Sequence, residues 1–290
     1  MTTDVSTLRP RLFGIAYRVL GSIADAEDVV QNAYVRYEEH RDDDLRNPGG
    51  WLATVTARLA IDRARSLSRR REEYFGTWLP EPLVERAEAQ DPYASVTYAD
   101  DLAMGFLHVL ERLRPEERTA MLLHDVFDYS HAEVASMLGK SQDAVRQLVS
   151  RARVRVRADR PRIAVDRRKA DELIDRMLSA LHDGNVSELE TIFTADVTAI
   201  SDGGGKVNAA VEPIVGSDKV IRGFIGVYQK FWNDLTMRRL LVNGVPGLGL
   251  WRGDQPAVVV AFDFTGDKIS KIYSVLNPEK LERIYRDYPG

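Results

Sequence analysis

The stretch that decides the fold of the middle of the chain covers residues 130–157 and reads SHAEVASMLGKSQDAVRQLVSRARVRVR. Ser130 is followed three residues later by Glu133, a capping box that predicts the start of a helix. Gly139 supplies the left-handed turn at which this helix ends. Ser141 is positioned to cap a second helix, whose apolar residues recur at helical spacing. The pattern predicts a helix-turn-helix.

One face of the second helix is left exposed, and its polar side chains are of the types that read base edges in a major groove. Trailing arginines on the same helix suit phosphates. The candidate DNA-binding residues are Gln142, Asp143, Arg146, Gln147, Ser150, Arg151 and Arg153, followed by Arg155 and Arg157. An ordinary helical hairpin is the alternative, but the combined pattern favours DNA binding.

The charge of the chain is unevenly distributed. The formal net charge is −4, yet residues 140–169 carry 11 basic side chains against three acidic ones. A concentrated basic stripe in an otherwise acidic protein is typical of a surface that binds a polyanion. A solvated helix is the alternative, so the stripe supports the helix-turn-helix without deciding its function.

The composition argues against several classes of protein. Hydrophobic residues make up 44% and charged residues 29%, which is typical of a folded soluble chain. Cysteine is absent and the five histidines show no ligand spacing, so we expect no disulfide, no metal and no cofactor. No apolar run reaches the roughly 18 residues of a membrane span, and the first residues lack the layout of a signal peptide. We expect a cytoplasmic protein without membrane contact.

The 290 residues allow two or three domains. Helical spacing predicts helices over about residues 8–70 and 98–160. Residues 72–95 between them are rich in proline but contain large apolar side chains, so we expect this linker to be bound to another part of the chain. Its apolar residues are Tyr74, Phe75, Trp78 and Leu79. An α+β domain is predicted after residue 166, with β-rich runs at 198–200, 236–242, 256–264 and 268–275.

Two stretches resemble parts of a known family. Residues 25–40, DAEDVVQNAYVRYEEH, and 47–65, NPGGWLATVTARLAIDRAR, resemble region 2 of the extracytoplasmic-function (ECF) sigma factors. Residues 113–153, which end in the helix-turn-helix, resemble region 4 of the same family. The resemblance covers roughly the first 160 residues in the order of the family. It implies region 2 over 1–72, a linker over 73–97 and region 4 over 98–162.

The resemblance implies roles for residues of region 2. An exposed surface of the second helix would bind core RNA polymerase through Asp25, Asp28, Gln31 and Asn32, although acidic residues early in a helix also favour its dipole. The loop 41–47 and the following helix would melt and read the −10 promoter element. The candidate −10 residues are Asn47, Trp51, Arg58, Asp62, Arg63 and Arg65, with Trp51 either a stacking wedge or a core residue. Region 4 would read the −35 element as duplex.

The order of elements over 166–290 resembles a SnoaL-like domain of the nuclear-transport-factor-2 (NTF2) superfold, an α+β cone. One subgroup of ECF sigma factors carries such a fused domain, and three motifs match it. They are WLPEP (Trp78, Leu79, Pro80, Glu81, Pro82), DGGGK (Asp202, Gly203, Gly204, Gly205, Lys206) and NPEKL (Asn277, Pro278, Glu279, Lys280, Leu281). The subgroup usually has Asp where this chain has Glu279. We expect the domain to contact the linker and region 2 and to regulate activity in cis, without a separate anti-sigma factor, by inhibiting or by assisting.

The predicted function is therefore an alternative sigma factor that binds core RNA polymerase and promoter DNA. The alternative is a stand-alone helix-turn-helix regulator with a ligand-sensing domain. An enzyme is not expected, because His182 lies in a turn that ends a helix and no acid/base dyad is evident. Asp263 falls in an apolar strand and points either into the cone or away from it. A small apolar ligand in the cone stays open.

Overall fold

The computed structural model describes residues 5–40, 45, 47–86, 103–157 and 166–287, and these form two compact units. The helical unit contains the described residues up to 73 together with 107–157. The C-terminal unit contains 74–86, 103–106 and 166–287. Most of the predicted linker that is described therefore belongs to the C-terminal unit. Most of the loop 41–47 and the linker residues after 86 lie outside the described residues.

The helical unit begins with a short 3-10 turn, Val5–Leu8, and three helices: α1 (Arg9–Leu20), α2 (Ile23–Glu39) and α3 (Pro48–Glu72). Side-chain caps define two of the helix starts. The Ser22 hydroxyl accepts a hydrogen bond from the Asp25 amide at 3.3 Å, and Asn47 Oδ1 accepts one from the Gly50 amide at 2.9 Å. The core between the three helices includes Leu12, Ile15, Val19, Val30 and Leu52.

Four further helices follow: α4 (Met104–Leu110), α5 (Pro115–Asp125), α6 (His131–Leu138) and α7 (Gln142–Arg157). The predicted capping box is present, because the Glu133 amide donates to Ser130 Oγ and the Ser130 amide donates to the Glu133 carboxylate. Gly139 has φ 64°, the left-handed turn that ends α6. The helix-turn-helix prediction is confirmed at the level of these two helices and their turn.

The C-terminal unit contains a seven-stranded sheet in the order β1-β4-β5-β6-β7-β2-β3. Its pairings are antiparallel except for β2 with β7, which is parallel. The strands are β1 (Val84–Arg86), β2 (Phe193–Asp202), β3 (Ile214–Val215), β4 (Thr236–Val242), β5 (Val245–Arg252), β6 (Gln255–Thr265) and β7 (Lys268–Val275). The linker thus supplies strand β1, in which Val84 pairs with Val242.

The helices of this unit are α8 (Arg167–Asp183), α9 (Val186–Ile192), α10 (Ser217–Val227) and α11 (Pro278–Asp287), and a π-helical turn, Tyr228–Trp232, follows α10. Within the described residues, no helix has the length and apolarity that crossing a membrane requires.

The two faces of the sheet pack against different partners. Val258, Val260 and Phe262 of β6 belong to the core formed with α8, α9 and α10. Because side chains alternate along a strand, Val259 and Ala261 lie on the opposite face, where the core also includes linker and α11 residues. Asp263 continues this second series, so it faces away from the core formed with α8, α9 and α10. This settles the orientation that the sequence leaves open.

Candidate functional site

The predicted DNA-reading face of α7 is exposed along its whole length. Arg146 and Asp143 form an ion pair at 3.1 Å, but both side chains are more than half exposed, so solvent screens the pair. Exposed polar groups that are not fixed to the protein interior are free to contact base edges. The exposed residues on this face are Gln142, Asp143, Arg146, Gln147, Ser150, Arg151 and Arg153.

Two acidic residues of α5 fix arginines of α7. Asp125 accepts two hydrogen bonds from Arg153, at 2.9 and 2.5 Å. Glu117, whose side chain is only 5% exposed, forms ion pairs with Arg155 at 2.5 Å and with Arg151 at 3.6 Å. Paired guanidinium groups position α7 on α5, so these arginines differ from Arg146, whose acidic partner is itself exposed.

The arginines that were assigned to the −10 element on α3 also have partners inside the helical unit. Arg58 donates from Nε to the Met137 carbonyl at 2.7 Å. Arg63 donates to Asp25 at 2.7 Å, and Arg65 pairs with Asp62 and with Glu116. In this conformation the guanidinium groups on α3 donate to carboxylates and carbonyls of the same unit.

Other region 2 candidates also have structural roles, of which the sequence analysis considered only a packing role for Trp51. Asn47 caps α3. The Trp51 ring is half-buried and packs against Tyr37 and His40, with ring centroids 6.0 and 5.5 Å apart. The Asp25 side chain is only 16% exposed because it pairs with Arg63. It therefore departs from the expected exposed surface on α2, whereas Asp28, Gln31 and Asn32 are exposed as expected.

The WLPEP, DGGGK and NPEKL motifs meet at the carboxylate of Asp202, which is fully buried. Tyr74 donates its hydroxyl proton to Asp202 Oδ1 at 2.5 Å, and the Leu79 amide donates to Oδ2 at 2.8 Å. The Gly204 amide donates to Oδ1 at 3.1 Å. Lys280 donates to Oδ2 at 2.6 Å. Asp202 thus links the linker, the glycine turn and the start of α11 in one network.

Lys280 and Asn277 complete this Asp202 network. The Lys280 ammonium also donates to the Leu79 carbonyl and lies 4.1 Å from the centroid of the Trp78 ring, a cation–π contact. Asn277 Nδ2 donates to the Tyr74 hydroxyl at 2.8 Å. Burial and the hydrogen bond to Asp202 raise the pKa of Tyr74 above its usual value, so the phenol remains protonated and donates.

The turn after Asp202 requires glycine. Gly204 has φ 59° and Gly205 has φ 70°, which are left-handed conformations. A Cβ atom on Gly204 would lie 2.7 Å from Asn277 Cγ and 3.0 Å from the Tyr74 hydroxyl, so a side chain there would disrupt the Asp202 network. The turn is also bounded by an exposed ion pair between Lys206 and Glu279. Of the remaining motif residues, Pro80, Pro82 and Leu281 are buried.

A second buried carboxyl lies on the same face of the sheet. Asp263 is 1% exposed and accepts a hydrogen bond from the Tyr273 hydroxyl at 2.8 Å. Its Oδ1 has no hydrogen-bond partner among the described residues. Burial raises the pKa of Asp263 to about 6, while the Tyr273 hydrogen bond and Lys271 act in the opposite direction. Gly105 of α4 packs directly against this pair.

Sequence reasoning missed several of these residues. Tyr74 was noted only as a large apolar group, because its hydroxyl has no partner nearby in sequence. Glu117, Asp125 and Gly105 were not singled out at all. Each acts through a residue that is distant along the chain, and an alternating or helical pattern carries no signal for such a pair.

Comparison with known proteins identifies two family models that match separate parts of this chain. The family model for Sigma-70 region 2 matches residues 5–70, and that for Sigma-70, region 4 matches residues 104–156. These two regions, in this order, define the class as a sigma-70-type transcription factor. The chain belongs to the ECF sigma factors, because it is 39% identical to the ECF RNA polymerase sigma factor SigJ of Mycobacterium tuberculosis over 96% of this chain and 92% of that one.

Other matches extend over the whole chain. The probable ECF RNA polymerase sigma factor SigI of M. tuberculosis is 27% identical, with 97% of this chain and 95% of that one covered. The crystal structure of M. tuberculosis SigJ superposes with a TM-score of 0.81 at 35% identity, covering 97% of this chain and 98% of that one. The predicted fold class, helical sigma regions followed by an α+β cone, is confirmed. The alternative of a stand-alone regulator is not favoured.

Proposed function

We propose that this chain directs bacterial core RNA polymerase to its promoters, with region 4 reading the −35 element and region 2 melting and reading the −10 element. The observation that carries the proposal is the exposed polar face of α7 behind the capped turn at Ser130 and Gly139. Side chains such as Gln147 and Arg146 on that face have the donors and acceptors that major-groove readout requires. This role places the protein in the cytoplasm, where promoter DNA and polymerase are found.

The polymerase contact is proposed for the exposed part of α2. Asp28, Gln31 and Asn32 lie on one exposed surface, and an acidic surface complements a basic partner. Asp25 is assigned a different part in the proposal, because its carboxylate is paired with Arg63. For the −10 element we propose Arg58, Arg63 and Arg65, whose intramolecular partners must be exchanged for phosphates when DNA binds.

We propose that the C-terminal unit regulates this activity in cis and takes the part of a separate anti-sigma factor. The supporting observation is that Asp202 and Lys280 bind the linker segment that follows region 2. Because the linker joins regions 2 and 4, any event that weakens the Asp202 network changes the constraint on both regions. A regulatory role, rather than a catalytic one, agrees with the position of Asp263 on the sheet face opposite the core formed with α8, α9 and α10.

The ligand proposed for the C-terminal unit is a small apolar molecule, bound on the sheet face that packs against α8, α9 and α10. Phe224 and Trp232 lie there with their rings at 84° and centroids 5.8 Å apart, beside Phe262. A ligand would have to displace such packed side chains. A rise in the unfolding temperature of the C-terminal unit on adding small apolar compounds tests this part of the proposal.

The test of the main proposal is transcription in vitro from genomic promoters with bacterial core polymerase. We expect transcripts that depend on both the chain and core polymerase. A chain ending near residue 165, and full-length Asp202→Ala, should change the yield, whereas Lys206→Ala at the exposed pair should change it less. Tight binding to duplex DNA without any polymerase-dependent transcript would favour the stand-alone regulator instead.

A further inference from the structure

Two histidines lie in contact beside the DNA-reading helix. His124 is in the last turn of α5 and His131 is the first residue of α6, and their ring centroids are 3.9 Å apart. His124 Nδ1 lies 2.8 Å from the Tyr129 carbonyl. Because a carbonyl oxygen only accepts, this nitrogen carries the proton in either charge state of the ring.

The charged groups around the pair are mostly basic. From α7, Arg146 and Arg153 face it, and from α5 Asp125 faces it. Asp125 is already held by two hydrogen bonds from Arg153. On α6 itself, Glu133 is engaged by the amide and hydroxyl of Ser130.

Arg11 of α1 is a further cation, and it lies against the loop between α5 and α6. Its guanidinium is 5.1 Å from the centroid of the Tyr129 ring in that loop. Asp125 Oδ1 also lies 4.0 Å from His124 Nε2, so this one carboxylate is shared between the His124 ring and the Arg153 guanidinium.

In the protein without DNA, these surroundings make the His131 ring poorly suited to hold a proton. Two charged imidazolium rings at 3.9 Å would repel each other. Burial of the ring, then His124, then Arg146 and Arg153 hold the pKa of His131 below its usual range, and only Asp125 acts in the opposite direction.

We propose that His131 is a backbone-phosphate contact of the helix-turn-helix, and that its ring takes up a proton from solvent when that phosphate binds. In helix-turn-helix complexes the recognition helix enters the major groove while the preceding helix crosses the backbone. His131 begins that preceding helix, next to Arg146 of the recognition face. A phosphate there supplies negative charge beyond that of Asp125, which Arg153 already holds. This inference rests on the proposed function.

The consequence is a linkage between promoter binding and pH. Since phosphate raises the pKa of His131, protonation of this ring must strengthen phosphate binding by the same free energy. Affinity for the −35 element therefore rises as the pH falls from about 8 to about 6. The effect adds to that of the permanent cations, and it resides in a side chain that changes its charge rather than in an arginine.

The experiment uses the full chain with core polymerase and a labelled promoter duplex, at pH 6, 7 and 8 and at fixed ionic strength. We expect wild-type affinity to fall about fivefold from pH 6 to pH 8. His131→Gln keeps an amide for the phosphate but cannot be protonated, so its affinity should change less than about twofold. His131→Arg should bind tightly with little pH dependence. His182→Gln, in the C-terminal unit, is the matched control and should retain the wild-type pH profile.

A second measurement reads the proton directly. The NMR signal of the His131 ring Cε1–H, assigned with the His131→Gln variant, is titrated in the full chain with and without a duplex that contains the −35 element. We expect the midpoint to move to higher pH when DNA is bound. An unchanged midpoint, or a His131→Gln variant with the wild-type pH profile, overturns this inference. Loss of all polymerase-dependent transcription in the wild type would instead overturn the proposed function.

Discussion

Asp202 and Lys280 form a buried ion pair of 2.6 Å in which the carboxylate is completely shielded from solvent and the lysine side chain is 12% exposed. The pair joins two motifs that are 78 residues apart in sequence. It differs in kind from the neighbouring Lys206–Glu279 pair, whose side chains are 46% and 64% exposed. The two pairs allow a direct comparison of buried and exposed charge in one site.

Asp202→Ala should destabilise the C-terminal unit by about 3–5 kcal/mol, because it leaves the Lys280 ammonium buried without its counter-charge. Lys206→Ala should cost less than about 1 kcal/mol, since solvent screens its pair. Urea unfolding followed by tryptophan fluorescence checks both values, because Trp78, Trp232 and Trp251 all lie in the C-terminal unit. Equal losses for the two variants would contradict the assignment.

Asp263 should make the stability of the C-terminal unit depend on pH. Its pKa is raised to about 6 in the folded state and lies near 4 in an unfolded chain, so the folded state binds the proton more tightly. Stability is therefore higher at pH 4 and falls as the pH rises to about 6, by about 3 kcal/mol for this group.

Asp263→Asn removes that dependence while keeping an oxygen for the Tyr273 hydroxyl. Its stability relative to wild type should increase between pH 4.5 and pH 7.5, measured by urea unfolding at each pH. Tyr273→Phe removes a hydrogen bond that favours the charged form, so it should shift the loss of stability to a different pH window, with a higher upper limit. Parallel stability curves for wild type and Asp263→Asn would contradict the assignment of this carboxyl.

Gly105→Ala should destabilise the C-terminal unit by about 1–3 kcal/mol, the usual cost of overpacking. The added Cβ would lie 2.7 Å from both Asp263 Oδ1 and the Tyr273 hydroxyl, and both groups are buried. Gly223→Ala on α10 is the matched control, because its Cβ would meet nothing within 4 Å. That variant should gain up to about 1 kcal/mol from helix propensity. Thermal unfolding of the two variants beside wild type provides the measurement.

Arg146 and Arg153 should respond differently to the same substitution. Arg153→Gln breaks the two hydrogen bonds to Asp125 and should lower the stability of the helical unit by about 1 kcal/mol. Arg146→Gln should leave stability unchanged and weaken binding to the −35 element, because its side chain is 58% exposed on the reading face. Thermal unfolding and promoter binding are measured for both variants. A larger stability loss for Arg146→Gln would reverse these roles.

The sequence was most informative where structure depends on neighbouring residues. The Ser130–Glu133 capping box, the left-handed Gly139 and the Asn277 cap on α11 all follow from residues within a few positions of one another. Three of the four predicted β-rich runs coincide closely with β4, β6 and β7. The 198–200 run falls inside the longer β2.

Strands β1 and β5 were missed for different physical reasons. Strand β1 exists because residues of the linker pair with distant residues of β4, such as Val84 with Val242, and no local sequence pattern indicates that pairing. Strand β5 contains a proline and two glycines, which usually weaken a strand. Here Gly247 is needed, because its Cβ would lie 2.6 Å from the Val260 carbonyl of the neighbouring strand.

The apolar linker residues also include some whose position the sequence predicted and one whose position it did not. Leu79 is fully buried and Trp78 contacts Lys280, as expected of a segment bound to another part of the chain. Phe75 is 65% exposed and lies over the turn at Gly205, an outcome that composition alone could not separate from burial. The attachment of the segment was predictable, but the residue that receives it, Asp202, was identified only by resemblance.

Strand β1 takes residues 84–86, which belong to the chain that connects regions 2 and 4, into the C-terminal sheet. Residues 74–86 and 103–106 both belong to the C-terminal unit. Release of residues 74–86 from the sheet would add about 45 Å to the contour length of the connection between regions 2 and 4. Effective concentration falls as a flexible connection lengthens. On the proposed function, release of this segment would therefore lower the frequency with which one of the two regions meets a promoter already bound by the other.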